Sequence, residues 1–391
     1  MREGWKYFCL GDLCYVLNGL WVGKREPLVK VAVIRNTNFS KDCCLKLDDI
    51  AFIDVEAKQF AERQLQYGDI IVEKSGGSDK QPVGRPVLFD LYDTGYSFSN
   101  FTATLRIKDC FDVEPKFVHY CLRKYYFSGE TLKMQSKTTG LHNLNMKSYL
   151  RLSIPVPPLE EQERIVAELD LLTGVIEKQK AQLKELDTLA QSIFYDMFGD
   201  PVKNEKGWDT NELKLVAPQE QYRGKVPSVN GKYWLLNLDM IQQQTGMIIE
   251  KILFDQSEIG NSIIVFDNTN VLYSKLRPYL NKVALPDDVG YASSELVPLK
   301  PNPLVLERMF FANLLRCKSF VDYISVKVAG AKMPRVSLDV LRAFPVILPP
   351  FQLQQQFAEK IEAIEHQKTL IKKSIEETQK LFDYTMDKYF G

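Results

Sequence analysis

The sequence predicts an α+β chain in which two pseudo-symmetric α/β units are separated by two long antiparallel helices forming a coiled coil. Three observations predict it. The stretch from Pro157 to Gly199, PPLEEQERIVAELDLLTGVIEKQKAQLKELDTLAQSIFYDMFG, has a twin from Pro349 to Gly391, shifted by 192 residues with no insertion. Inside each copy, apolar residues recur in alternating steps of three and four. The segments preceding the two copies then repeat one order of strand, turn and helix signals.

In the first copy the spaced positions are Ile165, Leu169, Leu172, Ile176, Gln179, Leu183, Leu186, Ala190, Ile193 and Met197. A repeat of ~3.5 residues is the seam of a coiled coil. The twin positions are Phe357, Ile361, Ile364, Lys368, Ile371, Ile375, Thr378, Phe382, Thr385 and Tyr389. Each helix would run ~58 Å at 1.5 Å per residue. A single apolar stripe of that length needs a partner, and the other copy supplies one, running antiparallel. Pro157-Pro158 and Pro349-Pro350 mark the starts, since proline is tolerated in a first turn and excluded from a helix interior. Gly174 costs the first helix ~1 kcal/mol relative to alanine and marks a possible bend. Lys368 falls in the seam; its stem is expected to snorkel to the edge. His366 reads as an ordinary polar helix residue.

The division expected along the chain is a first α/β unit at 1–153, a first long helix at 154–200, a second α/β unit at 201–343 and a second long helix at 344–391. The first unit carries short strand signals at 29–35, 68–74, 85–90 and 101–107, with the turn Ser75-Gly76-Gly77-Ser78 between them, then a helix at 115–128. A polar, glycine-bearing stretch from Thr138 to Asn145 leads to the long helix. The second unit answers in order. Gly207-Trp208 echoes Gly4-Trp5, 270–287 echoes the paired strands, 293–300 echoes 99–106, a helix at 306–320 echoes 115–128, and Gly330 to Arg335 echoes Gly140 to Asn145. This is one duplication, not a solenoid.

Composition bounds the function. The chain has 391 residues, 45% hydrophobic and 26% charged, enough for two or three domains. No run of ~18 apolar residues predicts a membrane span, and the N-terminus lacks the features of a signal peptide. Seven cysteines without CxxC spacing, beside three histidines, argue against zinc and for reduced thiols, hence a cytoplasmic location. Formal net charge is zero, but unevenly distributed. Residues 160–198 hold nine acidic and four basic side chains, and 352–390 hold seven and six, so the rest of the chain carries a compensating +6. Basic globular parts on acidic spacers suit nucleic acid held by the globular parts.

Two different readers at a separation set by a rod suit a duplex with two spaced half-sites. At these residues the sequence resembles the specificity subunit of type I restriction–modification systems. The features that carry the resemblance are the repeated hydrophobic-Pro-Val…Pro-Pro lead into a glutamine-containing helix, the TGLHNLN and GAKMPR stretches, GDII…GRPVL, VLYSKLRPYLNK and the MFGDP junction, and they cover nearly the whole chain. The resemblance implies two target recognition domains, each reading half of a split DNA site. It implies paired helices that set the spacing and dock two methyltransferase subunits, with a restriction and translocation subunit joining them. It implies no cofactor of this chain's own; S-adenosylmethionine, ATP and Mg belong to the partner subunits.

Arginine and lysine can grip guanine edges or phosphates, and asparagine can pair with adenine. The candidate DNA contacts in the first unit are Lys74, Lys80, Arg85, Lys137, Thr138, His142, Asn143 and Asn145, with Thr139 and Lys147 beside them. In the second they are Arg223, Lys275, Arg277, Lys282, Lys332 and Arg335, with Lys225 and Asn281 nearby. For most individual lysines, plain solvated surface is the simpler account; Lys275 and Arg335 stand out because both lie in segments matched between the halves.

Catalytic signals are poor. Leu348-Pro349-Pro350-Phe351 lacks the Asp or Asn of an amino-methyltransferase motif, and neither a dinucleotide loop nor a phosphate loop is present. Two other functions remain as alternatives. One is a duplicated metal-dependent nuclease, for which Asp112, Glu114 and Lys116 offer the residue types without the spacing. The other is a scaffold that binds proteins without catalysis.

Overall fold

A computed structural model describes residues 4–21, 25–79, 81–138, 140–330 and 332–391; nothing is described for the side chain of Thr138. The chain forms two compact units. One comprises the residues up to Glu177 together with Ile375–Gly391, the other Lys178–Ser374. Each unit therefore combines one α/β body with a portion of both long helices.

In the first unit, Lys6–Cys9 pairs antiparallel with Ser153–Val156, the strand that leads into the first long helix. An antiparallel sheet runs Cys14–Asn18, Thr102–Ile107, Asp69–Glu73, Pro86–Phe89. A second sheet holds Ala51–Glu56, Leu28–Ile34 and Tyr96–Phe98, the last pair parallel. These are the β-branched and aromatic runs legible in the sequence. The helix Pro115–Phe127 covers the first sheet, and its N-cap Glu114 accepts from the Lys116 amide at 3.3 Å. The polar stretch before the long helix is part of a hairpin. Gln135–Thr138 pairs with Leu141–Leu144, which pairs in turn with Ser75–Gly77. Gly140 sits at its turn with φ +85°, where a side chain would be strained.

The second unit uses the same plan. Thr210–Glu212 pairs antiparallel with Pro345–Ile347, the strand that leads into the second long helix. The sheet Val283–Ala284, Val271–Ser274, Leu296–Leu299 is antiparallel, and Lys232–Leu236 runs parallel to Gly290–Ser293. The expected single helix at 306–320 is instead two, Arg308–Arg316 and Lys318–Ser325, because Cys317 between them is extended at ψ 140°.

The long helices are Leu159–Phe198 and Phe351–Phe390, each beginning directly after its Pro-Pro pair. They run antiparallel within each unit. In the first, Ile165 and Leu169 pack with Phe382, Met386 and Tyr389. The Tyr389 hydroxyl donates to Glu168 at 2.8 Å and accepts from Arg164 at 3.0 Å. In the second, Gln179 donates to Ser374 at 2.6 Å, and Phe198 meets Phe357 with ring centroids 5.3 Å apart. The apolar stripe leaves the expected seam at the end of the first helix, where Phe194 and Phe198 rather than Ile193 and Met197 are the buried residues. A straight α-helix drifts against a 3.5-residue repeat, and here the drift turns two phenylalanines into the core of the second unit.

Lys368 does not snorkel. Its ammonium is buried and lies 2.7 Å from both Asp187 and Glu365. Burial opposes its charge, but the two carboxylates outweigh that and hold its pKa above the ordinary value. The twin position is Ile176, so the pair Lys368–Asp187 belongs to one arrangement of the seam only, the role polar seam residues play in fixing register.

One contact is duplicated to the atom. Gln162, fully buried, donates to the carbonyls of Pro157 at 2.8 Å and Asp112 at 3.0 Å, and accepts from the Glu114 amide at 2.9 Å. Its twin Gln354 donates to Pro349 at 2.8 Å and Val305 at 3.1 Å, and accepts from the Glu307 amide at 2.9 Å. Each glutamine thus joins the start of a long helix to the N-terminus of the body's own helix. Gln162→Leu is expected to destabilise that junction by about 2–3 kcal/mol, because buried amide and carbonyl groups lose their partners. Gln162→Glu is expected to cost more, since a carboxylate then faces two carbonyls. Faster hydrogen exchange of the 115–127 amides in both variants would show it; unchanged protection would refute it.

Candidate nucleic-acid interface

In the first unit the hairpin, the strand Ser75–Gly77 and the Lys74 backbone form one surface. The Lys74 and Ser75 amides donate to the Phe101 carbonyl, and the Leu144 amide donates to the Lys74 carbonyl at 2.8 Å. These bonds clamp Lys74 between two segments distant in sequence. Its ammonium donates to Asn18 at 3.2 Å, and partial burial lowers its pKa. The Ser75 hydroxyl donates to the Asn143 side-chain oxygen at 2.5 Å. His142 lies 3.1 Å from Asp79 and 3.2 Å from Gln135, and Lys137 lies 3.4 Å from Asp79. Lys74, Lys137, His142 and Asn143 are therefore brought together. The backbone of Thr138 lies in the same hairpin; Lys80 and Thr139 fall outside the described residues. Lys147 is exposed.

One expectation for this unit is corrected. Arg85 is buried, and its guanidinium is spent inside: Nη1 donates to the carbonyls of Phe39 at 3.0 Å and Ser40 at 3.2 Å, and Nη2 lies 3.1 Å from Glu73. It cannot reach DNA. Asn145 is exposed and is the N-cap of Met146–Tyr149, its side-chain oxygen accepting from the Ser148 amide at 3.1 Å.

The second unit builds the same clamp. The Lys275 amide donates to the Glu295 carbonyl at 3.1 Å, and the Val336 amide donates to the Lys275 carbonyl at 3.0 Å. Leu276 bridges to Arg335, and the Arg277 amide donates to the Pro334 carbonyl at 2.8 Å. Arg277 sits at φ 49°, an uncommon left-handed conformation for a non-glycine residue. Arg277 and Lys332 are exposed and Lys275 and Arg335 half-buried, so four cations lie on neighbouring segments. Arg223 and Lys225 are exposed on an irregular stretch with no bond tying them to this group. Lys282 is half-buried; its ammonium donates to the Leu238 carbonyl at 2.5 Å, and burial lowers its pKa. Asn281 is buried and donates to the Arg316 carbonyl at 2.9 Å, a structural role.

Two of the residue types that suggested a nuclease have structural partners. Glu114 caps a helix through its carboxylate, and the Lys116 ammonium lies 2.8 Å from Asp170. Sequence reasoning missed Phe101 and Glu295, which occupy equivalent places in the two clamps. The signal that could have found them is their matched position in SNFTATLR and SSELVPLK.

Two bodies of one plan, each leading through a clasped strand and a buried glutamine into a 40-residue helix, define a duplicated protein of two α/β domains on paired helices. The chain matches the type I restriction modification DNA specificity domain twice, at residues 2–188 and 207–380, and belongs to that family of type I restriction–modification specificity subunits. A Methanocaldococcus jannaschii protein that bears the name MjaX type I restriction enzyme specificity subunit is 21% identical, over 97% of this chain and 91% of that one. The EcoDI specificity subunit of Escherichia coli is 21% identical, over 54% of this chain and 55% of its own length. Two solved structures share the fold over the whole chain. One, from work on complex assembly and conformational transition of the type I R-M system, has a TM-score of 0.57 at 18% identity over 98% of its length. The S subunit of the type I system of M. genitalium also has a TM-score of 0.57, at 14% identity over 98% of its length. No described helix is long and apolar enough to cross a membrane.

Proposed function

We propose that this specificity subunit reads a bipartite duplex, one half-site per recognition domain, and that the paired helices set the distance between halves and dock two methyltransferase subunits. The observation that carries the reading is the pair of equivalent clamps, around Lys74 and around Lys275, presenting different side chains from one backbone frame. The same frame makes both bodies able to meet a duplex alike; the different side chains make the two half-sites unlike. The chain acts without chemistry of its own. S-adenosylmethionine, ATP and Mg serve the methyltransferase and restriction subunits, and the assembly works in the cytoplasm.

The test is to map methylated bases in DNA exposed to the chain with its methyltransferase partner. A split asymmetric site is expected, with affinity falling steeply as salt rises. Methylation indifferent to sequence would end the proposal. Inserting four residues after Gly174 lengthens one helix by ~6 Å and is expected to change the accepted spacing while both half-site sequences persist. A scaffold that binds only proteins would show neither effect.

A further inference from the structure

We infer that Arg335 reads a guanine in the half-site of the second recognition domain, and that Glu295 is the positioning residue that aims it. The inference rests on the two-reader function proposed above and adds a base identity to one half. Arg335 donates through Nε to both Glu295 oxygens at 3.1 and 3.2 Å, and through Nη2 to Oε1 at 2.8 Å. Its Nη1 makes only a long contact, 3.4 Å, to the Met333 carbonyl. The carboxylate therefore takes the Nε edge of the guanidinium. The far end, one N–H on each η nitrogen, keeps the spacing that matches guanine O6 and N7.

The surroundings favour a reading role over a merely stabilising one. The side chains are 42% and 24% exposed for Arg335 and Glu295, and an ion pair so open to water contributes little to stability. Both partners are instead fixed at the backbone. Glu295 holds the Lys275 amide through its carbonyl, and Arg335 bridges to Leu276. Glu295 lies beside two cations, Arg335 and Lys275. The Arg335 hydrogen bonds hold its carboxyl below the usual range, so it stays charged. A carboxylate there weakens attraction for phosphate, which argues against a purely backbone contact for Arg335. It also removes the rotamer freedom that a flexible arginine would otherwise lose on meeting a base. The first domain lacks the device: Asn143 and Phe101 stand in the equivalent places, so the guanine contact belongs to one half only.

The experiment uses the chain with its methyltransferase partner and a duplex library randomised in both halves. The wild type is expected to require at least one G·C pair in one half. Arg335→Lys keeps the charge and removes the planar fork. It is expected to lower discrimination at that single pair by about tenfold to a hundredfold, with the other half unchanged and overall affinity nearly kept. Glu295→Gln is expected to weaken the same pair by about threefold to tenfold, since the acceptor remains but its charge is gone. A structural role alone would lower all positions evenly. Uniform loss, no change in Arg335→Lys, or a wild-type site in which Arg335→Lys affects no G·C pair each overturns the inference while leaving the bipartite reading intact. If the wild type selects no sequence at all, the bipartite reading fails first and this inference with it.

Discussion

Glu73→Ala is expected to destabilise the first unit by about 3–5 kcal/mol, the usual consequence of leaving a buried charge without its partner. Arg85 and Glu73 are both almost wholly removed from solvent. Burial pushes the Glu73 carboxyl above its ordinary pKa, and Arg85 opposes that. Deleting the carboxylate leaves the guanidinium with only carbonyl partners, Phe39, Ser40 and Asn36. Replacing both residues by methionine removes both charges and is expected to recover most of the loss. Denaturant unfolding of the parent and the two variants distinguishes these outcomes; Glu73→Ala as stable as the parent would show that the pair contributes nothing. The effect is expected to reach the proposed DNA surface as well. Asn36 donates to Glu73 at 3.3 Å and to the Ser75 carbonyl at 3.5 Å, so loosening Glu73 loosens the strand that holds Asn143. Selectivity is expected to fall in the first half-site and not in the second.

The second large effect is acid destabilisation through His119. Its ring lies wholly buried on the helix Pro115–Phe127, and burial, with Arg123 close by, pushes its pKa down to about 3. The unfolded value is near 6.5, so below that pH the unfolded chain binds a proton that the folded one refuses. Stability from this residue is therefore complete above pH 6.5 and is lost as pH falls toward 3, at a limiting slope of about 1.4 kcal/mol per pH unit. His119→Gln removes the titration and keeps a polar side chain. The difference between parent and variant in urea midpoint, measured at pH 7 and pH 5, is expected to shrink or reverse on acidification. Parallel pH profiles for the two would refute it.

How much of this could be read beforehand depended on range. The strands at 28–34, 69–73, 86–89 and 102–107 and the helix at 115–127 match the sequence expectations within a residue or two, because alternating apolar residues and turn glycines act locally. The hairpin at 135–144 escaped, since its strands are polar and owe their pairing to Ser75–Gly77, some sixty residues away. The break at Cys317 escaped because the segment keeps helical spacing on both sides of it. Among the candidate contacts, Lys74, Lys137, His142 and Asn143 share one surface, as do Lys275, Arg277, Lys332 and Arg335. Arg85 was misjudged for one reason. A cation or an amide in a sequence shows what it can bond, not whether the fold has already provided the partner.

The sequence by itself determined the duplication, the antiparallel pairing of the two helices and the family, since all three are written in spacing: a 192-residue shift and a three-and-four stripe. Only the tertiary structure decided which polar groups are spent and which are presented. Burial and hydrogen-bond partners come from residues far apart in the chain. Glu295 meets Arg335, Gln162 meets Glu114 and Arg85 meets Glu73 only after the strands have paired.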